Sequence, residues 1–380
     1  MNLPPLSLYI HIPWCVRKCP YCDFNSHAVK SDLPEQAYVA ALLSDLKADS
    51  SYISARKLNS IFIGGGTPSL FSADAVATLL QGIAQQIELT ESIEITLEAN
   101  PGAVDSRAFA GYREAGVNRL SLGIQSLQAS ALSALGRIHS PEEAIDGVSL
   151  ARKAGFDNIN IDMMFGLPQQ TPEMARQDLL AAIDLNSEHL SYYQLTLEPN
   201  TSFYHNPPPL PEEDHLWQIQ QQGEEILAEA GFEHYEVSAF ARPDAQCCHN
   251  YNYWRFGDYL GIGAGAHAKL TLPGGQVKRF WKHRHPEAYL AAAEAEDFTQ
   301  GQRYLDQDDL ILEFMMNALR LYQGVEVDLF EAHSGIGLAE IEGLLSHAVD
   351  KGLLLPVEQR LCATDLGRRF LNDLITHFSN

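Results

Sequence analysis

The sequence predicts an α/β protein: an incomplete (β/α)6 barrel, similar to part of a TIM barrel, and a smaller C-terminal α+β domain. In the first half of the chain, short apolar runs alternate with amphipathic stretches that are long enough for helices. Strands separated in this way form βαβ units and a parallel sheet. The runs lack the glycine fingerprint of a dinucleotide-binding sheet, so we favour a partial barrel.

The predicted elements follow directly from this alternation. Six strands are expected at residues 8–12, 60–63, 93–98, 119–123, 158–163 and 189–195. Helices are expected between them at 36–48, 73–85, 106–115, 142–154 and 172–185. Barrel enzymes keep their sites at the C-terminal ends of the strands, so the residues that follow each run are the candidates for chemistry.

Beyond the barrel, the character of the sequence changes twice. We predict a barrel core at 1–240, a connecting segment rich in aromatic residues and glycine at 241–300, and a C-terminal domain at 301–380. The last region shows a helix at 308–322, a helix around 338–351, a hairpin-like stretch at 353–362 and a final helix from 364. This order is similar to a winged-helix layout. Its acidic excess is the wrong sign for a wing that contacts DNA.

Composition excludes several classes of function. The 380 residues carry a net charge of −23, which argues against binding to a nucleic-acid backbone. No apolar run approaches the roughly 20 residues that a membrane span requires. The first eight residues lack the cationic and apolar regions of a signal peptide, so we expect a cytoplasmic protein. Six cysteines are too few for a disulfide framework.

Three of the cysteines crowd together immediately after the first predicted strand. Cys15, Cys19 and Cys22 form a C-x3-C-x2-C motif. Three such thiolates can bind three irons of a 4Fe–4S cluster, because soft sulfur ligands suit iron–sulfur chemistry. The fourth iron would then be open to the amino and carboxylate groups of S-adenosylmethionine, for one-electron cleavage.

Two simpler interpretations compete with the cluster. A Cys3His zinc site could use His11 or His27 as its fourth ligand. The cysteines could also be unrelated core thiols, since free cysteine is often buried. Their position on the loop after the first barrel strand favours the cluster.

The motif, with Tyr21 directly before its last cysteine, resembles that of the radical S-adenosylmethionine superfamily. Three further blocks resemble the coproporphyrinogen dehydrogenase branch: YIHIP at 9–13, GGGTP at 64–68, and NID at 160–162 followed by GLP at 166–168. The resemblance runs through almost the whole chain. It implies a radical S-adenosylmethionine partial barrel with a 4Fe–4S cluster on the three cysteines.

The resemblance also implies contacts with S-adenosylmethionine. The glycine-rich loop would approach the methionine amino group, because glycines allow close backbone approach and exposed N–H groups can bind ligands. Arg137 would meet the carboxylate, and the side chains at the ends of later strands would meet the ribose hydroxyls. A single carboxylate at a strand end is usually a solvated cap. The implied set is Tyr9, Tyr21, Phe24, Gly65, Gly66, Thr67, Glu98, Gln125, Arg137 and Asp162.

Two features separate a chaperone from an enzyme within this branch. The dehydrogenases carry a fourth cysteine two residues after the third, and this chain has Phe24 at that position. The dehydrogenases also carry an arm before the first strand, where this sequence has only eight residues. Residues 247–254, CCHNYNYW, contain H-N-x-x-Y-W, which resembles the signature of the heme chaperones of this branch. His249 would supply an iron ligand, and Tyr253 and Trp254 would offer ring faces. Without the resemblance, a histidine among aromatic rings is more often a hydrogen-bonded packing residue.

The resemblance therefore implies a heme chaperone that delivers heme to acceptor proteins, with membrane respiratory enzymes as expected acceptors and a separate protein as heme donor. Such a protein would associate with the inner membrane face without a membrane anchor. The sequence does not decide whether it forms a homodimer. Whether the chain cleaves S-adenosylmethionine is also left open. One alternative is an oxygen-independent coproporphyrinogen III dehydrogenase. Another is a zinc-stabilised barrel of different function.

Overall fold

The computed structural model describes residues 3–29, 32–53, 56–103 and 106–379. Residues 1–2 of the predicted core and residue 380 of the predicted C-terminal domain lie outside the described residues. Its strands are β1 (Leu6–Ile12), β2 (Trp14–Cys15), β3 (His27–Ala28), β4 (Leu58–Gly65), β5 (Leu89–Ala99), β6 (Arg119–Gln125), β7 (Ile159–Phe165), β8 (His189–Gln194), β9 (Glu233–Glu236), β10 (Ala239–Ala241), β11 (Asp258–Ile262), β12 (His267–Thr271), β13 (Val277–Lys282), β14 (Thr299–Tyr304), β15 (Val325–Glu326) and β16 (Arg360–Leu361).

The α-helices connect the strands of this framework and form most of the C-terminal part. They are α1 (Glu35–Ala48), α2 (Ala73–Gln86), α3 (Ser106–Ala115), α4 (Ala129–Ala134), α5 (Pro141–Lys153), α6 (Pro172–Ile183), α7 (Ser202–His205), α8 (Glu213–Glu229), α9 (Cys248–Trp254), α10 (Pro286–Ala292), α11 (Gln307–Ala318), α12 (Val327–Ser334), α13 (Glu342–Asp350), α14 (Asp365–Arg369) and α15 (Leu371–Thr376). Among the residues that the structure describes, none of these helices combines the length and the apolar character that a bilayer crossing requires.

The predicted strands form the centre of one large sheet. Its order is β14-β13-β12-β11-β1-β4-β5-β6-β7-β8-β10-β9. The six strands from β1 to β8 in this order are parallel neighbours, which confirms the predicted β/α architecture. The apolar side chains of β1 are almost completely buried, as expected for a parallel sheet covered on both faces. Within the described residues the sheet is open, so the barrel is partial.

The sheet continues into the segment that was predicted to be a connector. Strand β11 pairs in parallel with β1, with Leu6 opposite Asp258 and Ile10 opposite Ile262. Strands β12, β13 and β14 then add antiparallel partners. The region 241–300 therefore extends the core sheet, although the division of the chain at residues 240 and 300 stays a prediction.

Buried ion pairs attach these added strands to the core. Lys282 on β13 contacts Asp45 at 2.5 Å and Asp49 at 2.7 Å, at the end of α1. Lys269 on β12 lies 3.2 Å from Asp258 on β11. Such pairs specify one arrangement strongly, because the removal of one partner leaves an uncompensated buried charge.

The C-terminal part has its own apolar cluster, which includes Phe314, Phe330 and Leu345. It contains the expected helices α11 and α13, and the expected final helix is split into α14 and α15. Helix α12 was not predicted. The hairpin-like stretch forms only an isolated bridge from Leu354 to Ala363, whereas β16 pairs with β15.

Candidate functional site

The three motif cysteines lie together at the C-terminal ends of the parallel strands. Cys15 ends the short strand β2, and the Cys22 N–H donates to the Cys19 carbonyl at 3.2 Å in the turn that follows. All three line a cavity of about 510 Å³, which we call the cysteine cavity. Burial raises the pKa of the Cys15 and Cys22 thiols, so a bound metal centre would have to stabilise their thiolates.

The strand ends bring most of the other predicted residues to the same cavity. Its lining includes Tyr21, Phe24, Gly65, Gly66, Thr67, Glu98, Gln125, Arg137 and Asp162. Tyr9 does not line it. The Tyr9 hydroxyl instead lies 2.9 Å from Nδ1 of His11, and the other ring nitrogen of His11 donates to the Asn25 carbonyl at 2.8 Å.

The glycine-rich loop differs from the expectation in one respect. Its N–H groups are not exposed, because Gly66 donates to the Ile12 carbonyl and Thr67 to the Trp14 carbonyl, both at 2.7 Å. Gly65 donates to Glu98 at 3.0 Å. A Cβ on Gly66 would lie 2.4 Å from the Trp14 carbonyl oxygen. The loop therefore holds the cysteine-bearing segment through its amides, and these amides are not available to a ligand.

Glu98 and Asp162 are among the carboxyl groups that line the cysteine cavity. Burial and the neighbouring Asp162 raise the pKa of Glu98 to about 8, so Glu98 is largely protonated at neutral pH. Its hydroxyl can donate a hydrogen bond to a ligand. Asp162 accepts hydrogen bonds from Ser121 at 3.0 Å and Asn160 at 2.8 Å. Asn160 belongs to the NID block at 160–162, whereas the sequence did not single out Ser121.

Arg137 and Gln125 complete the polar wall. Arg137 donates to the Gly123 carbonyl at 2.5 Å and lies 3.8 Å from the Cys19 sulfur. Its buried Nε has no hydrogen-bond partner among the described residues, so an anionic group in the cavity would satisfy it. Gln125 has a positive φ of 71° and accepts from the Tyr193 hydroxyl at 2.6 Å. Backbone strain of this kind is common at ligand sites.

The donor set fits an iron–sulfur cluster better than zinc. Among the described residues, no three histidine, cysteine or acidic side chains converge on a point that could hold one metal ion. His11, which the zinc alternative could use, makes contacts within the protein at both ring nitrogens. A cubane cluster instead accepts thiolates at separate corners, as three cysteines around one cavity can provide.

A second cavity of about 790 Å³ adjoins the first, and we call it the aromatic cavity. Phe24, Gly65, Glu98 and Asn250 line both cavities. The remaining walls come from distant parts of the chain: Tyr9, His11, Asn25, Phe62, His249, Tyr253, Tyr259, Gly265, His267, Trp281, Lys282, Arg284 and Gln300. The added strands β11 to β13 thus form one side of a cavity next to the cysteine site.

The H-N-x-x-Y-W block is divided between the two cavities. His249 and Tyr253 line the aromatic cavity, whereas Trp254 lines the cysteine cavity, with the Arg320 guanidinium 4.3 Å from its ring centroid. His249 is 1% exposed. Its ring nitrogens lie 2.9 Å from the Ser60 hydroxyl and 2.8 Å from the Tyr253 hydroxyl. Burial lowers the pKa of His249 to about 3, with Arg119 adding to the effect.

Comparisons with known proteins agree with this geometry. The radical SAM superfamily matches residues 9–181, and the HemN C-terminal domain matches residues 305–370. The chain is 50% identical to the heme chaperone HemW of Haemophilus influenzae over 99% of its own length and 98% of that protein. The chain belongs to the HemW family. HemW of Escherichia coli is 48% identical and covers 100% of this chain.

The fold of a solved relative is also similar. Coproporphyrinogen III oxidase (HemN) from Escherichia coli aligns with 100% of this chain and 91% of its own, with a TM-score of 0.84. Its sequence identity is 23%, so this similarity shows the radical SAM fold with a C-terminal domain and nothing more. The family implies a 4Fe–4S cluster and S-adenosylmethionine as the cofactors that the HemW-like barrel would hold.

Proposed function

We propose that this chain is a heme chaperone, which binds heme and transfers it to acceptor proteins. The observation that carries the proposal is the full-length identity of 50% to a protein named as a heme chaperone. The geometry adds a cavity with aromatic walls next to the cysteine site. Pockets of this size and character hold ligands as large and apolar as a porphyrin.

The cluster and S-adenosylmethionine would share the cysteine cavity. Cys15, Cys19 and Cys22 would hold a 4Fe–4S cluster, which with S-adenosylmethionine supplies one-electron cleavage chemistry when both are bound. Arg137 would bind the ligand carboxylate through its unpaired Nε. Protonated Glu98 would donate to a ribose hydroxyl. Tyr9 would act indirectly, because it contacts His11 and lies outside this cavity. Tyr21, Phe24, Thr67, Gln125 and Asp162 would complete the contacts.

Phe24 argues against porphyrinogen oxidation. Its side chain is 57% exposed and lines both cavities, at the position where the dehydrogenases carry a fourth cysteine. An aromatic ring there can pack against a ligand but cannot ligate iron or transfer a hydrogen atom as a thiol can. The sequence blocks that resemble the coproporphyrinogen dehydrogenase branch keep coproporphyrinogen III dehydrogenase as the alternative function.

One experiment tests both functions. The protein would be purified without oxygen, its cluster reconstituted, and hemin titrated before mixing with an apo-cytochrome in membrane vesicles. We expect binding of hemin and its transfer to the apo-cytochrome. Coproporphyrinogen III, supplied with S-adenosylmethionine and a reductant, should remain unconverted. Protoporphyrinogen formation above a Cys22→Ser control would favour the dehydrogenase, and failure to bind hemin would refute the chaperone.

The proposed function requires a source of heme and acceptors for it in the cell. The expected acceptors are respiratory hemoproteins, and a separate protein would donate the heme. The chain would work in the cytoplasm and visit the inner membrane face during transfer. A homodimer would be detected by light scattering with and without hemin.

A further inference from the structure

The aromatic cavity contains a histidine whose ring is available to iron. His267 begins strand β12, is exposed, and lines this cavity. Its imidazole has no hydrogen-bond partner among the described residues. In contrast, Nδ1 and Nε2 of His249 both make hydrogen bonds inside the protein. An axial ligand needs a free nitrogen lone pair, and His249 could supply one only by losing its contact with Ser60 or with Tyr253.

The surroundings of His267 match the other chemical features of heme. Trp281 lies opposite His267 across the β12–β13 ladder, with the two ring centroids 6.1 Å apart and an interplanar angle of 25°. Phe62, Tyr253 and Tyr259 are partly exposed and line the same cavity. Flat aromatic side chains of this kind can pack against the faces and edges of an apolar macrocycle.

A cation for the propionates lies at the same cavity. Arg284 is exposed and makes no salt bridge with a described carboxylate, and its Nε lies 3.3 Å from the side-chain oxygen of Asn25. The terminal nitrogens are therefore free for a carboxylate. Lys282, the other cation of the lining, is already neutralised by Asp45 and Asp49. Arg284 is thus the lining cation that can pair with a heme propionate.

We propose that heme binds in the aromatic cavity with His267 as an axial iron ligand and Arg284 on a propionate. This inference rests on the proposed function, because it specifies where a heme chaperone of this family would hold its cargo. Residues lining both cavities place such a heme directly beside the cysteine cavity, with Phe24 in the shared wall.

The test is a hemin titration of the cluster-loaded protein, followed by difference spectra against the same protein without hemin. His267→Ala should weaken hemin binding about tenfold or more and shift the Soret band, and added imidazole should restore the native spectrum. His215→Ala, at an exposed histidine on α8, is the matched control and should bind like the native protein. His267→Met keeps side-chain bulk and should bind with a spectrum typical of a thioether ligand.

The propionate contact is tested separately. Arg284→Gln should weaken hemin binding about three- to tenfold but leave the binding of hemin dimethyl ester unchanged, because the ester has no charged propionate. The outcomes distinguish the two proposals. If the native protein binds hemin and His267→Ala binds it with the same affinity and spectrum, His267 is not the ligand and the chaperone function stands. If the native protein does not bind hemin, both proposals fail.

Discussion

The cysteine cavity and the aromatic cavity share a wall but are built in different ways. The cysteine cavity collects side chains from the ends of successive parallel strands, such as Glu98 as the last residue but one of β5 and Gln125 as the last residue of β6. The aromatic cavity combines Phe62 on β4, the helix α9 and the strands β11 to β13. A site made by consecutive βα units can be found by inspecting strand ends in order, whereas a site made by an added sheet edge cannot.

The two cavities also differ in what fixes them. The cysteine-bearing loop is held by backbone amides of the glycine-rich loop, and the aromatic cavity is held by buried charges, of which Lys282 with Asp45 and Asp49 is the clearest. Changes in one support should therefore affect one cavity more than the other. The following predictions use this difference, from the largest expected effect to the smallest.

Cys19→Ser should remove most of the iron and the absorbance near 400 nm that clusters give. If the aromatic cavity holds heme independently, this variant should still bind hemin with native affinity. Cys248→Ser, at an exposed cysteine, is the control and should keep its iron. Full iron and sulfide content in Cys19→Ser would contradict the cluster assignment.

Lys282→Met should lower the free energy of unfolding by about 3–5 kcal/mol, because two buried carboxylates lose their cation. Hemin binding should weaken, since Lys282 forms part of the cavity wall. The control is Lys57→Met, which removes an exposed ion pair with Glu88 and should cost less than about 1 kcal/mol. Denaturant unfolding of both variants measures the two free energies of unfolding. Equal values would show that the buried ion pairs of Lys282 do not stabilise the added strands.

Gly66→Ala should lower the free energy of unfolding by about 1–3 kcal/mol, because its Cβ would overlap the Trp14 carbonyl oxygen. Cluster content should fall because the cysteine-bearing loop is displaced. Gly343→Ala is the control, because its Cβ meets open space in helix α13. This variant should raise the free energy of unfolding by up to about 1 kcal/mol. Native cluster content in a correctly folded Gly66→Ala protein would show that the loop tolerates displacement.

Asn25→Ala should affect both cavities. Its side-chain N–H2 donates to the carbonyls of Ala264 and Arg284 at 2.8 Å each, and its own carbonyl accepts from His11. Loss of the side chain leaves the part-buried Ala264 carbonyl unpaired, at a cost of about 1–3 kcal/mol, whereas water can replace the exposed contact to the Arg284 carbonyl. We expect lower retention of iron and weaker hemin binding in the same variant. A change in only one of the two measurements would show that Asn25 does not couple the cavities.

Glu98→Gln should show the most pH-dependent effect, and the smallest one of the series at acidic pH. The pKa of Glu98 is raised to about 8, so in the native protein stability falls as pH rises from about 4.5 to 8, where the unfolded chain binds fewer protons. Glutamine does not titrate and can still accept from Gly65. Thermal melts without ligand should show Glu98→Gln more stable than the native protein at pH 9 and equal to it near pH 4.5. An equal difference at both values would exclude the raised pKa.

The sequence alone determined the central parallel strands and the convergence of Cys15, Cys19 and Cys22 with Glu98 and Arg137. Apolar periodicity is a local property, and the ends of parallel strands must meet at one edge, so these features require no knowledge of distant contacts. The HemW-type block was also visible as a motif. Its identification did not depend on where the tertiary structure placed it.

Tertiary structure decided the remaining features. Strand β11 lies beside β1, with Asp258 opposite Leu6, and no local pattern indicates a pairing between residues so far apart in the chain. This pairing carries His267 and Trp281 to the aromatic cavity. The three-dimensional arrangement also gave His249 the distant Ser60 as a hydrogen-bond partner. A sequence motif identifies which residues are present, but the contacts that occupy or free their polar atoms come from strands that pair over long range.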